Sequence, residues 1–318
     1  VTALQTAFAA LSAVILFLYA LKGFRREIQE VGGAKLDAAL RRMTSSRWRA
    51  FAVGALATAL VQSSSAVSSM TVSFVDAGLL QFRASLGVAL GAKVGTTSTA
   101  WLVAFKLTGI GPVFIVLGAI VSAIPFRYRL LGQTLFYFGL IFFALDLISA
   151  SLMPLRENAL MQQALSSARN PWMGVVLGAL ITVVFQSSSV TTGLAILLVQ
   201  QGMLAPESAV PIAIGSNAGT PSTALIVSAA MSPAARATAW ANLFFNVCGV
   251  LAISPFLRPF SSWVIAMAGG AGSAVALAHL LFNVGMSMAF LFTLPRVAPV
   301  FEKRFRLSAP AAPVGYSF

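Results

Sequence analysis

The stretch Ala59–Ser69, ALVQSSSAVSS, sets a glutamine and three consecutive serines between two strongly apolar runs. The chain does the same again at Val183–Gly193, VVFQSSSVTTG. A shift of 124 positions lays one copy on the other without a gap: GALATALVQSSS (Gly54–Ser65) falls on GALITVVFQSSS (Gly178–Ser189), and GAKVGTTSTA (Gly91–Ala100) on GSNAGTPSTA (Gly215–Ala224). From position 54 to 100, 18 of 47 residues are identical to their mates. Apolar segments match by chance in Leu, Ala and Val. They do not match by chance in Gln, Ser, Thr and Gly at fixed spacing, so the chain contains an internal repeat.

Composition places the repeat in a membrane. Of 318 residues 58% are hydrophobic and 9% charged, against roughly 25% charged in a soluble domain; mean hydropathy is +0.89. The apolar start, Leu4–Leu21, lacks a basic leader and is followed by Lys22, Arg25 and Arg26 as a stop-transfer segment would be. The single Cys248 excludes an internal disulfide framework and a cysteine zinc site. The net charge of +13 does not signal nucleic acid here, because the basic residues gather in joints between apolar spans, where they set topology.

Full spans are expected at Leu4–Leu21, Leu130–Leu152, Ala234–Ile253 and Ala274–Leu294, with an amphipathic interfacial helix over Arg25–Arg49. Phe51–Val61 is only about half of the roughly 20 residues that cross a bilayer. The runs at Leu86–Lys106 and Ile212–Ala230 are each expected to be interrupted, by GAKVGTTST and GSNAGTPST. The units are 1–125, 126–255 and 256–318, the last holding the final span and a basic tail. The joint Lys22–Arg49 carries eight Lys/Arg, whereas its mate Asp146–Met173 carries Arg156 and Arg169 alone; Arg127 and Arg129 add positive charge one span away from that mate. The positive-inside rule then orients the halves oppositely. The expected fold is all-α and polytopic, with two inverted-topology repeats and re-entrant or discontinuous helices, an architecture of secondary transporters.

Non-helical backbone is tolerated at membrane depth only inside protein or beside a water-filled cavity, and transporter sites sit at such breaks. A helix that starts after QSSS presents free N–H groups and a positive dipole end to an anion. Hydroxyl and amide oxygens beside it suit a hard cation. One isolated serine would be read as helix packing; two aligned QSSS elements with two aligned Gly-Thr elements favour a site.

These motifs, with NLFFNVCG and HLLFNVG near the end and LFLYALKGF and LFYFGLIFFALDLI before each repeat unit, resemble the type II sodium-dependent phosphate cotransporter family along essentially the whole chain. The resemblance implies transport of inorganic phosphate with sodium as the coupling ion, no further cofactor, and a multi-pass protein of the cell membrane. It places phosphate at Gln62, Ser63, Ser64, Ser65, Gln186, Ser187, Ser188 and Ser189; Lys93 is added as a phosphate candidate on its own charge, not by the resemblance. The candidate sodium ligands are Thr96, Thr97, Ser98, Thr99, Asn217, Thr220, Ser222, Thr223, Asn246 and Asn283. Two positions depart from the pattern. Pro221 stands in the second Gly-Thr element, where it suits a first helical turn. Lys93 stands where the family has Asn and where the repeat mate is Asn217. An intramembrane ionisable residue is a functional candidate: its ammonium replaces a cation, pairs with phosphate, or faces water.

Asn242 and Asn246 lie one turn apart, as do His279 and Asn283; they line the site or bond between helices. Asp146 needs a partner, and its mate Lys22 offers one. Trp48, Trp101, Trp172, Trp240 and Trp263 read as interfacial anchors. An enzyme is disfavoured: the chain has no Gly-Lys-Ser/Thr phosphate loop, dense carboxylate pair or His-rich metal motif. The competing readings are sodium-linked phosphate export, transport of another oxyanion, and an anion channel. The partners are phosphate, sodium and the lipid bilayer; a dimer is compatible with the sequence.

Overall fold

Each QSSS ends one helix and begins the next. The structure, a computed structural model, describes residues 3–42, 46–105, 109–124, 129–153 and 170–307. Arg127, Arg156, Arg169 and the tail after Leu307 lie outside them. In chain order the helices are α1 (Ala3–Arg42), α2 (Arg47–Val61), α3 (Ser64–Asp76), α4 (Phe82–Ala104), α5 (Gly111–Ala123) and α6 (Arg129–Leu152). Then follow α7 (Pro171–Phe185), α8 (Ser188–Gln200), α9 (Pro206–Gly219), α10 (Ser222–Ser228), α11 (Pro233–Ile253), α12 (Leu257–Met267) and α13 (Ala271–Arg304). A single 3₁₀ turn, Ser254–Phe256, joins α11 to α12. By length and composition the segments Phe8–Glu27, Arg129–Ser151, Pro233–Met267 and Ala271–Arg304 can cross a membrane. Of the short apolar helices, α5 packs on α6, α7 on α9, and α8 on α9, α4 and α13.

Three expectations are corrected. The basic segment after the first span is not a separate interfacial helix, because α1 runs unbroken for 40 residues. The sequence KGFRREIQE offers mostly strong helix formers where a break would be needed. At 1.5 Å per residue α1 is about 60 Å long, twice a hydrocarbon core of roughly 30 Å.

Second, GAKVGTTST does not interrupt its helix: α4 is continuous from Phe82 to Ala104, while in the second repeat α9 ends at Gly219 and α10 starts at Ser222. At the break itself the two copies differ by Thr97 against Pro221. Proline has no N–H to give, and its ring crowds the carbonyl four residues back. Thr97 keeps its N–H, and its hydroxyl donates to the Val94 carbonyl at 2.7 Å.

Third, Lys22 and Asp146 do not pair. Asp146 Oδ2 instead accepts from the N–H of Gly109 at 3.0 Å, in the joint before α5.

The repeat is visible in the packing. Helix α2 lies on α4 and α7 lies on α9, each pair in backbone contact through glycines. Gly54 faces the Val88 carbonyl and Gly178 the Ile212 carbonyl; Gly91 faces Phe51 and Gly215 faces Val175; Gly95 faces Ala55 and Gly219 faces Ala179. Every one of these pairs maps onto its partner by the same 124-residue shift. Beside these units, α1, α5 and α6 pack together. Gly111 and Gly118 of α5 meet the backbone of α6, and Gly23 of α1 meets the ring of Tyr137. Small residues let helices approach closely where water supplies no driving force.

The halves are also pinned across the repeat boundary by a second symmetric pair. Asp76, at the exposed end of α3, accepts from the N–H of Ser232, the N-cap of α11, at 2.7 Å. Its mate Gln200, at the end of α8, donates Nε2 to the Ala104 carbonyl at 3.2 Å and the Val103 carbonyl at 3.4 Å, where α4 ends. The Ser232 hydrogen bond holds the Asp76 carboxyl below the usual aspartate range. A carboxyl lowered on folding contributes stability above its unfolded pKa, about 3.9, and loses it as pH falls through the lower folded value. Asp76→Asn is therefore expected to lower the thermal midpoint slightly at pH 7, with the gap to wild type closing below the ordinary aspartate range. Thermal scans across pH check this.

Candidate functional site

In both repeats the break is built by glutamine in the left-handed conformation. Gln62 (φ 55°) caps the end of α2 and Gln186 (φ 53°) the end of α7. Ser63 and Ser187 follow in extended backbone as N-caps of α3 and α8. Two residues thus stop one helix, turn the chain and start the next.

The glutamine side chains reach out of the turn to the Gly-Thr element of their own repeat. Gln62 Nε2 donates to the Ala59 carbonyl (2.6 Å) and to Ser98 Oγ (2.9 Å), and its Oε1 accepts from Thr99 Oγ1 (2.7 Å). Gln186 repeats the plan: Nε2 donates to the Val183 carbonyl (2.6 Å), and Oε1 accepts from Thr223 Oγ1 (2.6 Å), with Ser222 Oγ 3.5 Å away. Ser98 and Thr99 map onto Ser222 and Thr223 under the shift. Each QSSS is therefore latched to its Ser-Thr pair by one amide.

The two breaks also meet each other. Ser65 Oγ, in the first turn of α3, donates to the backbone carbonyl of Gln186 at 3.4 Å. Ser64, Ser188 and Ser189 are buried, and Ser63, Ser65 and Ser187 are half-buried.

The caps are unequal. Ser63 Oγ accepts from the Ala66 N–H at 3.2 Å, so α3 is closed by its own serine. Ser187 makes no such bond, so the first turn of α8 lacks this cap. Free N–H groups at a helix start, with the positive end of the dipole, favour an anion. A smaller asymmetry lies behind the motif. Thr182 Oγ1 pairs with Thr191 Oγ1 at 2.8 Å, but the mate of Thr191 is Val67, and Thr58 Oγ1 is left buried without a partner.

The remaining sequence candidates divide by what their protons do. Thr96 donates to the Ala92 carbonyl (2.8 Å), Thr97 to Val94, Ser98 to Gly95 (2.8 Å), Thr220 to Ser216 (2.9 Å) and Ser222 to Gly219 (2.8 Å). A hydroxyl whose proton is committed to its own helix offers only lone pairs outward; such oxygens suit a cation. Asn217 ties its Nδ2 to the Ile214 carbonyl at 3.2 Å, which leaves Oδ1 to accept. Lys93, Asn246 and Asn283 are buried, and among the described residues they make no hydrogen bond to either QSSS. Asp76 and Gln200 escaped the sequence reading as clamps; the signal was two polar residues at mated positions. A basic cavity of about 500 Å³, lined by Tyr19, Lys22, Arg25, Arg26, Ser63 and Tyr137, opens onto the first QSSS.

The Na+/Pi-cotransporter family matches this sequence twice, over residues 16–150 and 147–291, so that each match contains one QSSS. The chain belongs to this family. It is a multi-pass membrane protein of a phosphate-transport family rather than of an enzyme family. Among relatives, it is 30% identical over 281 residues to the uncharacterized protein YqeW of Bacillus subtilis, covering 87% of this chain and 91% of that one. It is 30% identical over 293 residues to the putative inorganic phosphate export protein YjbB of Escherichia coli K12, covering 91% of this chain and 53% of YjbB. The chain thus spans about half the length of YjbB. Over 129 residues it is 35% identical to the human sodium-dependent phosphate transport protein 2B, 39% of this chain and 18% of that protein. No solved structure matches.

Proposed function

We propose that this protein is a secondary transporter that moves inorganic phosphate with sodium, holding phosphate where the two QSSS breaks meet. The observation that carries this reading is the Ser65–Gln186 contact, which brings the breaks of opposite repeats together beside the uncapped start of α8. Phosphate supplies acceptor oxygens and negative charge, the complement of serine hydroxyls and helix-start N–H groups. The outward lone pairs of Thr96, Thr97, Ser98, Thr220 and Ser222, with Asn217 Oδ1, supply what sodium needs one turn away. The basic cavity ending at Ser63 draws an anion toward the site.

Coupling follows if phosphate binds well only when cations neutralise it, and if the latched hairpins move with the site while α1, α5 and α6 hold still. Export by the same site is the second reading, and the likeness to YjbB favours it. Radiolabelled phosphate flux in proteoliposomes tests both. Saturable flux that depends on a sodium gradient is expected, and the direction of the gradient sets the direction of net movement. Absence of flux under sodium, proton or null gradients overturns the reading, and conductance without saturation makes the protein a channel.

A further inference from the structure

Lys93 is 4% exposed, and among the described residues it takes part in no hydrogen bond or ion pair. The ion pairs of those residues, Arg26–Glu27 and Arg83–Glu302, involve other groups. An ionisable side chain this deep among membrane-spanning helices is a functional candidate, which makes its surroundings informative.

Two hydrogen bonds fix the registers. Ser85 Oγ lies 2.9 Å from Thr238 Oγ1, and Phe82, Leu86 and Leu90 of α4 share one apolar cluster with Ala237, Ala241 and Phe245 of α11. Helices α4 and α11 therefore run side by side in the same sense, and two turns beyond Ser85 and Thr238 bring Lys93 level with Asn246. On the other side, Ser287 Oγ donates to the Leu90 carbonyl at 2.9 Å, while Arg83 is held by Glu302 further along α13. Helix α13 thus runs opposite to α4, and one turn on from Leu90 faces one turn back from Ser287, at Asn283. His279 lies one turn further along α13.

The groups at this level are as unusual as the lysine. Asn246 donates Nδ2 to the Asn242 carbonyl at 2.6 Å, and Asn283 donates Nδ2 to the His279 carbonyl at 2.7 Å. Those bonds fix the amides and turn both Oδ1 atoms away as acceptors. Both Oδ1 atoms are buried without a partner, as are both ring nitrogens of His279. Asn246 and Asn283 Oδ1 are bare acceptors of the kind that seats a cation, and Lys93 carries its ammonium on a flexible stem at the same level. The mate of Lys93 is Asn217, whose own Nδ2 is tied in the same way.

We infer that Lys93 is a tethered cation: during transport its ammonium takes, beside α4, the seat made by Asn246 and Asn283 Oδ1, while the mated position at Asn217 is left to a dissociable sodium ion. The inference rests on sodium-coupled phosphate transport and specifies it: one of two related cation sites is filled by the protein itself. The wild type then carries one sodium fewer per phosphate than a chain with asparagine at both positions.

The test compares wild type with Lys93→Asn and with Lys93→Gln, which keeps much of the stem and removes the charge. Neutralising an unpaired buried charge is compatible with folding, and Lys93→Gln is read in the same way if Lys93→Asn does not fold. In proteoliposomes Lys93→Asn is expected to need one further sodium per phosphate, seen as a steeper sodium dependence and one more positive charge moved per phosphate. Equal stoichiometry in wild type and Lys93→Asn overturns the inference. A second readout needs no transport: in detergent, with choline replacing sodium at constant ionic strength, the Lys93→Asn midpoint should rise more steeply with sodium than the wild-type midpoint. Parallel sodium responses overturn the inference. Absence of wild-type phosphate flux instead sinks the transport reading and leaves this sodium comparison to decide the cation seat.

Discussion

Replacing Gln62 and Gln186 together by glycine is expected to leave a folded protein and to reduce phosphate flux by about 10- to 100-fold. Glycine is the informative substitute because both positions have positive φ. It keeps the left-handed turn that ends α2 and α7, so only the side chain is lost. Alanine adds a backbone penalty of about 1–2 kcal/mol per position and should lower the thermal midpoint further than glycine does. Without the amides, Thr99 and Thr223 lose the acceptors that now bind them at 2.7 Å and 2.6 Å. A polar group left unsatisfied costs about 1–3 kcal/mol, and about 1.4 kcal/mol is tenfold in an equilibrium. The latch aligns each break with its Ser-Thr pair, so its loss is felt in flux before it is felt in folding. The single variants should be unequal. Gln62 engages both Ser98 and Thr99 at short range, whereas Gln186 is exposed and holds Ser222 only at 3.5 Å; Gln62→Gly is the more damaging. Flux in proteoliposomes beside thermal midpoints in detergent separates the two effects. Wild-type flux in the double variant would reduce both glutamines to plain helix caps.

The features legible in the sequence were those that repeat. A Gln-Ser-Ser-Ser found twice at one spacing announced two breaks, and both are present, because a left-handed turn followed by a serine cap is local chemistry. The Gly-Thr elements misled in one copy for an equally local reason: Pro221 breaks its helix and Thr97 does not, although both sit in Gly- and Thr-rich surroundings that look alike. The join between the first span and its basic extension was also misread, since charge patterning marks where water begins and not where a helix stops. What could not be read was pairing over distance. The mated clamps of Asp76 on Ser232 and Gln200 on Ala104 depend on which helix ends meet. Lys22 and Asp146 are symmetry mates with opposite charges, yet Asp146 is spent on the Gly109 N–H instead. The registry that sets Lys93 against Asn246 and Asn283 appears only once α11 and α13 are laid on α4.

Gly91→Ala and Gly215→Ala are expected to be among the most destabilising single-methyl substitutions along the paired hairpins. A Cβ at Gly91 collides with the Phe51 carbonyl, and one at Gly215 with the Val175 carbonyl. Both obstacles are backbone of the facing helix rather than the end of a mobile side chain, so relief requires the helices to move apart. Overpacking of this kind costs typically about 1–3 kcal/mol. The harm extends beyond stability, because Gly95 and Gly219 lie one turn further along the same contacts and hold the Ser-Thr pairs within reach of the glutamines. Spreading α2 from α4 lengthens the Gln62–Ser98 and Gln62–Thr99 bonds, so a variant that survives purification should also lose flux. Gly285→Ala is the control: it lies in α13, and a methyl there meets nothing within 4 Å. Thermal midpoints and monodispersity in detergent should fall for Gly91→Ala and Gly215→Ala and remain near wild type for Gly285→Ala. Because the two contacts are mates, comparable losses are expected in the two repeats; a loss at Gly91 with none at Gly215 would mean that only the first pair is built on backbone contact.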